Sequence, residues 1–307
     1  MKVLVTGATG FVGACLARHM VAEGHEVHVF TREKSNRWRI QDLSDQLRDH
    51  FVDLTDADCV QTAISHIRPE GIFHLATYGG FADQQDTTAI ITANFLGTVN
   101  LVRACERVGF DFFINTGSSS EYGIKQEPMR ETDVAEPMGD YGVSKLAATA
   151  FCYSEAVQKE LPIVTIRLFS PYGYWDDPKR FIPYVIQSFL KNEVPRLSTP
   201  HSVRDYIFIE DILQLYQKMA ETPKLIGGIF NAGSGLQTSI GEVVEIIREI
   251  MGSEIVPAWG SIGAKRMEPS VWVADTDKTR QLGWQARVDL REGLRRTIEW
   301  QKVTVQK

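Results

Sequence analysis

Short apolar runs alternate along the chain with longer amphipathic stretches. KVLVT (2–6) leads to FVGACLARHMVAEG (11–24), EVHVF (26–30), HFV (50–52), DADCVQTAISHI (56–67) and GIFHLA (71–76). A long helix-like stretch over 84–109, ending in LVRACERVG, then precedes FDFFINT (110–116) and IVTIRLF (163–169). Apolar runs of strand length separated by helix-length amphipathic segments predict parallel strands joined by crossover helices, in a sheet covered on both faces. Up to residue 168 the expectation is a doubly wound α/β fold. After Phe169 the pattern loosens into SPYGYWDDPKR (170–180), a helix-like FIPYVIQSFLKN (181–192) and the polar LSTPHSV (197–203). It tightens again in DYIFI (205–209), DILQLYQKMAE (211–221) and GIFNAG (228–233), which predicts that 205–233 rejoins the main sheet. The domain of 1–168 is then followed by a smaller lobe assembled from 169–204 and 234–307.

Composition narrows the function. The 307 residues are 43% hydrophobic with a formal charge of -6, enough for a large core in one or two domains. Basic residues gather only in TREKSNRWR (31–39), so no footprint for nucleic acid is present. The N-terminus enters a strand at once and no run of 18 apolar residues follows, so the expected address is cytoplasmic, with no membrane partner. Cys15, Cys59, Cys105 and Cys152 are far apart and lack CxxC spacing, which predicts buried thiols in a reducing compartment, with no metal site.

The turn after the first strand, TGATGFVG, spaces Gly7, Gly10 and Gly13 as GxxGxxG and leads into a helix through Thr9, Phe11 and Val12. Such glycines can merely make a turn. Directly after an N-terminal strand and before an amphipathic helix, they predict a pyrophosphate held against backbone and helix N-terminus. At the end of the second strand an acid would accept from both adenosine ribose hydroxyls and select NAD. Here stand Thr31 and Arg32. A guanidinium in place of the carboxylate favours the 2'-phosphate of NADP (NADPH), with NAD as the alternative. The plainer reading leaves Arg32 in solvent beside Arg37 and Arg39. Asp53, next to Leu54 after the third strand, is a candidate for the adenine amino group.

DYGVSK places Tyr141 and Lys145 four residues apart, on one face of a helix-like run. An ordinary phenol, with a pKa of about 10, is a poor acid-base group at neutral pH, and an adjacent ammonium favours its phenolate. Upstream, GSSSEYG (117–123) closes the FDFFINT strand with three hydroxyls, a carboxylate and a phenol.

Together these motifs, with HLA (74–76), NFLGTVNLV (94–102), RLFSPYG (167–173), RDYIFIED (204–211), LGW (282–284) and LRRTIEW (294–300), resemble the extended short-chain dehydrogenase/reductases that act as nucleotide-sugar epimerases, dehydratases and reductases. The resemblance covers nearly the whole chain. It implies a Rossmann-type doubly wound parallel sheet with a smaller C-terminal substrate lobe, and a catalytic trio. Ser118, four residues before Tyr122, would orient the reacting oxygen, Tyr141 would exchange its proton, and Lys145 would hold the nicotinamide ribose and tune Tyr141. Backbone at Leu75 and Ala76 would line the cofactor, and Asn94 would brace the helix beneath the site. Arg204 and Arg266 resemble residues that contact a substrate diphosphate. Tyr78, Ser119, Ser120, Glu121, Ser170 and Arg180 complete the substrate candidates. Ser119 could replace Ser118 if the loop shifts by one, and Ser170 stands where many members carry Asn.

Dehydratases of the family carry a carboxylate two residues before the Tyr of the YG pair, as in TDEVYG. Here that position is Ser120, and Glu121 is displaced to the opposite face of an extended strand, which disfavours dehydration. YGYWDDPKRFIP and TYGGFADQQD resemble segments of 4-keto-6-deoxy-hexose reductases, whose aromatic side chains (here Tyr174, Trp175 and Phe81) would cover a deoxygenated sugar or simply pack between lobes. The main expectation is NADPH-dependent reduction of a nucleotide-linked 4-keto-6-deoxy sugar. The alternative is a nucleotide-sugar 4-epimerase with resident cofactor. More remote are a reductase of non-sugar ketones and a non-catalytic NADP-binding redox sensor. By the same resemblance, 84–109 and 141–158 would pair with a second copy as a homodimeric four-helix bundle.

Overall fold

The computed structural model describes residues 1–81, 83–222, 225–263 and 269–304. Its main sheet has seven strands: β1 (Lys2–Thr6), β2 (Glu26–Thr31), β3 (Leu47–Phe51), β4 (Gly71–His74), β5 (Phe112–Ser118), β6 (Ile163–Leu168) and β9 (Ile229–Ala232), in the order β3-β2-β1-β4-β5-β6-β9. Pairing is parallel from β3 through β6. Every residue of β4 and β5 is buried, as a sheet covered on both faces requires. The connecting helices are α1 (Phe11–Ala22), α2 (Ala57–Ile67), α3 (Thr87–Ile91), α4 (Gly97–Val108) and α5 (Gly139–Lys159). A core of Leu4, Ile64, Ile72, Leu101, Phe113 and Cys152 lies between this sheet and α2, α4 and α5. The strand order reverses beside β1, with β2 on one side and β4 on the other. At such a switch point the carboxyl ends of neighbouring strands open a crevice, and Thr6 and His74 stand at those ends.

The helix-like stretch over 84–109 is not one regular helix. Five residues, Thr92–Leu96, form a π turn between α3 and α4. The whole of Thr87–Val108 is long and apolar enough to cross a membrane by length and composition, and it packs against α2 and α5.

The chain divides into two compact units, Met1–Gly123 with Glu131–Leu168 and Leu213–Phe230, and Ile124–Arg130 with Phe169–Ile212 and Asn231–Lys307. The second contains β7 (Ser170–Tyr172), α6 (Phe181–Leu190), β8 (Val203–Phe208), β10 (Gln237–Ser239), α8 (Ile240–Met251), α9 (Asp277–Gln281) and α10 (Leu290–Thr304). Helix α7 (Ile209–Glu221) begins in the second unit and passes into the first.

DYIFI does not return to the main sheet as its apolar pattern suggests. It is the centre of a separate three-stranded sheet, β10-β8-β7, antiparallel to β10 and parallel to β7. The reason is Asp205, fully buried in mid-strand, whose carboxylate accepts from Ser234 N and Oγ (both 2.7 Å), Ala274 N (3.0 Å) and Gly235 N (3.1 Å). Burial pushes this carboxyl up, while those donors draw it back. A strand carrying such an acid is built to tie loops together.

The aromatic segment after β7 also finds its partners inside the second unit. Tyr174 and Trp175 lie 6.3 and 5.2 Å, ring to ring, from Trp300 of α10. Trp175 adopts φ +64, a left-handed conformation that an aromatic residue rarely takes.

Candidate active site

The glycine turn comes first. Gly7 has φ +72, and a Cβ there would lie 2.6 Å from Leu75 C and Ala76 N, so only glycine lets the β1 turn rest on the backbone leaving β4. At Gly13 a Cβ would fall 2.2 Å from Gly7 O, which fixes how closely α1 follows the turn. Helix α1 starts at Gly10 with no side-chain cap and no acid in its first turn, leaving a positive helix end dressed for an anion. These features fit the pyrophosphate of a dinucleotide. Thr9, Phe11 and Val12 lie in this turn.

Beneath it runs a chain of buried hydrogen bonds. Thr98 Oγ1 donates to Asn94 O (2.6 Å) and so must accept from His74 Nε2 (2.9 Å). That leaves His74 Nδ1 to accept from Thr6 Oγ1 (2.7 Å), which in turn accepts from Leu75 N and Ala76 N (3.2 Å each). One tautomer alone satisfies the chain, with the proton on Nε2. Burial, with the Lys145 ammonium nearby, lowers the imidazole pKa to about 3, so His74 is neutral.

Asn94 is the next joint. Its side chain donates to Tyr78 O (2.8 Å) and Ser144 Oγ (2.9 Å) and accepts from Tyr78 N (2.7 Å). Ser144 Oγ donates to Tyr141 O (2.8 Å). The π turn aims Asn94 inward, and through it the Tyr78 loop and the first turn of α5 share one buried amide. Lys145 is 3% exposed and Tyr141 is half-buried on the same helical face.

The serine loop meets that helix directly. A Cβ at Gly142 would lie 2.7 Å from Ser120 O, so α5 crosses the loop at a glycine, one residue after Tyr141. Ser118 ends β5, and its Oγ accepts from Ser120 N (3.1 Å), leaving its hydroxyl proton to donate elsewhere. Ser119 is buried and Ser120 partly exposed.

Glu121, expected among the substrate residues, is fully buried and faces inward. Its Oε1 accepts from Ser118 N (2.8 Å), closing a capping box, and its Oε2 accepts from Arg167 Nε on β6 (2.7 Å). The spacing Ser-x-x-Glu is itself a capping-box pattern and was the signal for this arrangement.

At the end of β2, Thr31 Oγ1 donates to Asp49 Oδ1 (2.7 Å) and accepts from Arg37 Nη2 (2.7 Å), while Arg37 also pairs with Asp49. Arg32 and Asp53, with Lys34, Ser35 and Phe51, line a cavity of about 530 Å³. Hydrogen bonds from Thr55 N (2.9 Å) and Oγ1 (2.8 Å) hold the Asp53 carboxyl below the usual range, with Arg32 adding positive charge. Leu54 lies beside Gly97. Arg32 is exposed, as the plainer reading has it, whereas Arg39 is not in solvent. It is 7% exposed, and its Nη1 donates to Thr9 O (3.1 Å), so a residue assigned no role by sequence grips the glycine turn.

The remaining candidates belong to the second unit. Arg204 donates to Ser202 Oγ (3.1 Å) and Val203 O (2.6 Å) and lies over the Trp272 ring (5.4 Å). Arg180 is exposed at the start of α6 and 3.9 Å from the Asp176 carboxylate, and Ser170 opens β7. Arg266 lies outside the described residues.

Fold and site together define an extended short-chain dehydrogenase/reductase. The profile of the NAD dependent epimerase/dehydratase family matches residues 3–233, and the chain belongs to that family. It is 28% identical over 315 residues to the UDP-glucose 4-epimerase of Mycolicibacterium smegmatis, covering 98% of each chain. It is 25% identical over 336 residues to dTDP-glucose 4,6-dehydratase 1 of Escherichia coli, covering 98% of this chain and 92% of the relative. The crystal structure of the UDP-glucuronic acid 4-epimerase of Bacillus cereus with UDP-glucuronic acid and NAD matches with a TM-score of 0.90 at 25% identity, covering 99% of this chain and 100% of that one.

The buried histidine gives a pH test. An unfolded histidine binds a proton below pH 6.5, whereas folded His74 stays neutral down to about 3. Its contribution to stability is therefore complete above 6.5 and is lost as pH falls through that window. His74→Gln should flatten the slope of unfolding free energy against pH between about 6 and 4 by up to ~1.4 kcal/mol per pH unit, measured by urea unfolding. An unchanged slope refutes the assignment.

Proposed function

We propose that the chain is a nucleotide-sugar 4-epimerase that retains its dinucleotide, with the second unit as the substrate-binding lobe. The observation that carries this reading is the serine loop. It presents hydroxyls, while its one carboxylate, Glu121, is turned inward and engaged by Ser118 N and Arg167. Such a loop can orient an oxygen during oxidation and reduction at one carbon, and it offers no acid to expel a hydroxyl. Two findings move the reading from net reduction to epimerisation. Tyr174 and Trp175, for which covering a deoxygenated sugar and simple packing were both open, lie tilted against Trp300. The matches to 4-epimerases also run over essentially the whole chain.

A bound nicotinamide dinucleotide would supply reversible hydride acceptance. Gly7, Gly10 and the start of α1 would hold its pyrophosphate, and Lys145 its nicotinamide ribose. Tyr141 takes the proton of the sugar hydroxyl as that carbon is oxidised and returns it on reduction. The Ser118 hydroxyl donates to the same oxygen, with Lys145 on the same helical face as Tyr141. Arg204 is assigned to the substrate diphosphate.

Protein as purified, given a panel of UDP- and dTDP-hexoses without added coenzyme, should interconvert C4 epimers as read by NMR. Tyr141→Phe should lower turnover on the order of 1000-fold. Consumption of added NADPH on 4-keto-6-deoxy sugar nucleotides, with no epimerisation, returns the reductase.

For the cofactor, the side chains support NADP. Thr31 offers no carboxylate, Asp49 is neutralised by Arg37, and Arg32 and Lys34 border the cavity together with Glu33 and Asp53. In calorimetry on cofactor-stripped protein, NADP should bind at least about tenfold more tightly than NAD, and Arg32→Ala should remove the preference. Tighter binding of NAD by the wild type refutes it.

The homodimer is retained as a proposal. Leu96, Val143, Tyr153 and Val157 are 45 to 52% exposed along the helices expected to meet a second copy. Light scattering should give twice the chain mass of 34.5 kDa, and a monomer ends the proposal.

A further inference from the structure

We propose that Glu121 and Arg167 form a buried positioning pair that sets the Ser118 hydroxyl, an inference that rests on the hydride-transfer reading above. The chain of fixation is continuous. Arg167 Nε donates to Glu121 Oε2 (2.7 Å), Glu121 Oε1 accepts from Ser118 N (2.8 Å), and Ser118 Oγ accepts from Ser120 N (3.1 Å). Each bond removes one freedom: the carboxylate plane, the backbone of the last β5 residue, and the serine rotamer. What remains free is the hydroxyl proton, the group that must donate to a substrate oxygen.

Neighbouring residues are shaped around the pair. A Cβ at Gly117 would lie 2.6 Å from Glu121 Oε1, so the loop's first glycine gives way to the carboxylate. The Arg167 guanidinium lies 4.4 Å from the centre of the fully buried Tyr122 ring, which holds it from the other side. Both charged side chains are nearly inaccessible, at 4% and 0% exposure. A buried ion pair is by itself poorly suited to stability, where an apolar pair of similar volume does as well or better. Its usefulness lies in geometry. A carboxylate locked by a cation accepts the Ser118 N–H in one direction only, and at a reacting centre an error of about 1 Å costs on the order of 100-fold in rate. Glu121 and Arg167 therefore act through Ser118 and touch no reactant.

The test compares two double variants that leave no unpaired buried charge. Glu121→Leu with Arg167→Met removes the acceptor, and Glu121→Gln with Arg167→Met keeps an oxygen for Ser118 N. Both should retain bound dinucleotide and a cooperative unfolding transition. The first should lose kcat on the order of 100-fold with KM for the nucleotide sugar within about threefold, and the second, which keeps the acceptor for Ser118 N but lacks the cation that fixes its plane, should recover only part of that loss. In a Ser118→Ala background neither should lower kcat further. Amide exchange over residues 117–122 should quicken by at least about tenfold in the first variant and not in the second. Folded double variants with equal kcat, additive losses with Ser118→Ala, or identical exchange overturn the proposal. If wild-type protein turns over no nucleotide sugar, the epimerase reading fails by itself, and the exchange comparison still decides the pair.

Discussion

A line of hydrogen bonds that can run in only one direction underlies everything else in the first unit. Thr98 has one proton and gives it to a carbonyl; His74 must then give and accept on defined nitrogens, and Thr6 must receive the amides of Leu75 and Ala76. The carboxyl ends of β1 and β4 are thereby fixed to the helix that carries Asn94, and through Ser144 to the turn that carries Tyr141. A buried network of this kind is valuable only when fully satisfied, since any missing partner leaves a polar group stranded in low dielectric. Here every member has its partner while the imidazole is neutral. The first unit thus places its candidate machinery on strand ends and helix turns rather than on long loops.

Much of this was legible in the order of residues. The alternation of apolar runs specified the parallel sheet, because buried strands and crossover helices differ in length and period. GxxGxxG after a strand, and Tyr141 and Lys145 at helical spacing, marked the candidate site because backbone approach and face-sharing depend on local spacing alone. What escaped was settled by distant partners. DYIFI reads as a core strand, and its placement in the second sheet follows from Asp205 meeting donors about 30 and 70 residues away. The break in the long helix at Thr92–Leu96 has no glycine or proline to announce it before Gly97, since it exists to aim Asn94 at Tyr78 and Ser144.

Glu121 is the instructive case. The extended strand on which positions 120 and 121 would face opposite ways ends at Ser118, and Ser119–Glu121 is a 3-10 turn. Read as the fourth residue of Ser-x-x-Glu, it caps a short turn, and this second pattern decides what the carboxylate does. Of the two local rules applied to the same seven residues only the capping pattern holds, and Arg167 from a neighbouring strand completes it. The absence of an acid on the outer face and the presence of one beneath it are the same structural fact.

Arg39 carries a consequence for engineering. Because its guanidinium is spent on Thr9 O and its own carbonyl receives Arg18, it belongs to the frame of the glycine turn and not to the part that reads the adenosine. The basic run 31–39 thus separates into a replaceable half and an architectural half. On the cofactor reading proposed above, selectivity would be rewritten at Arg32 and Lys34 without touching the turn, whereas a wholesale exchange of the run would remove the brace along with the label.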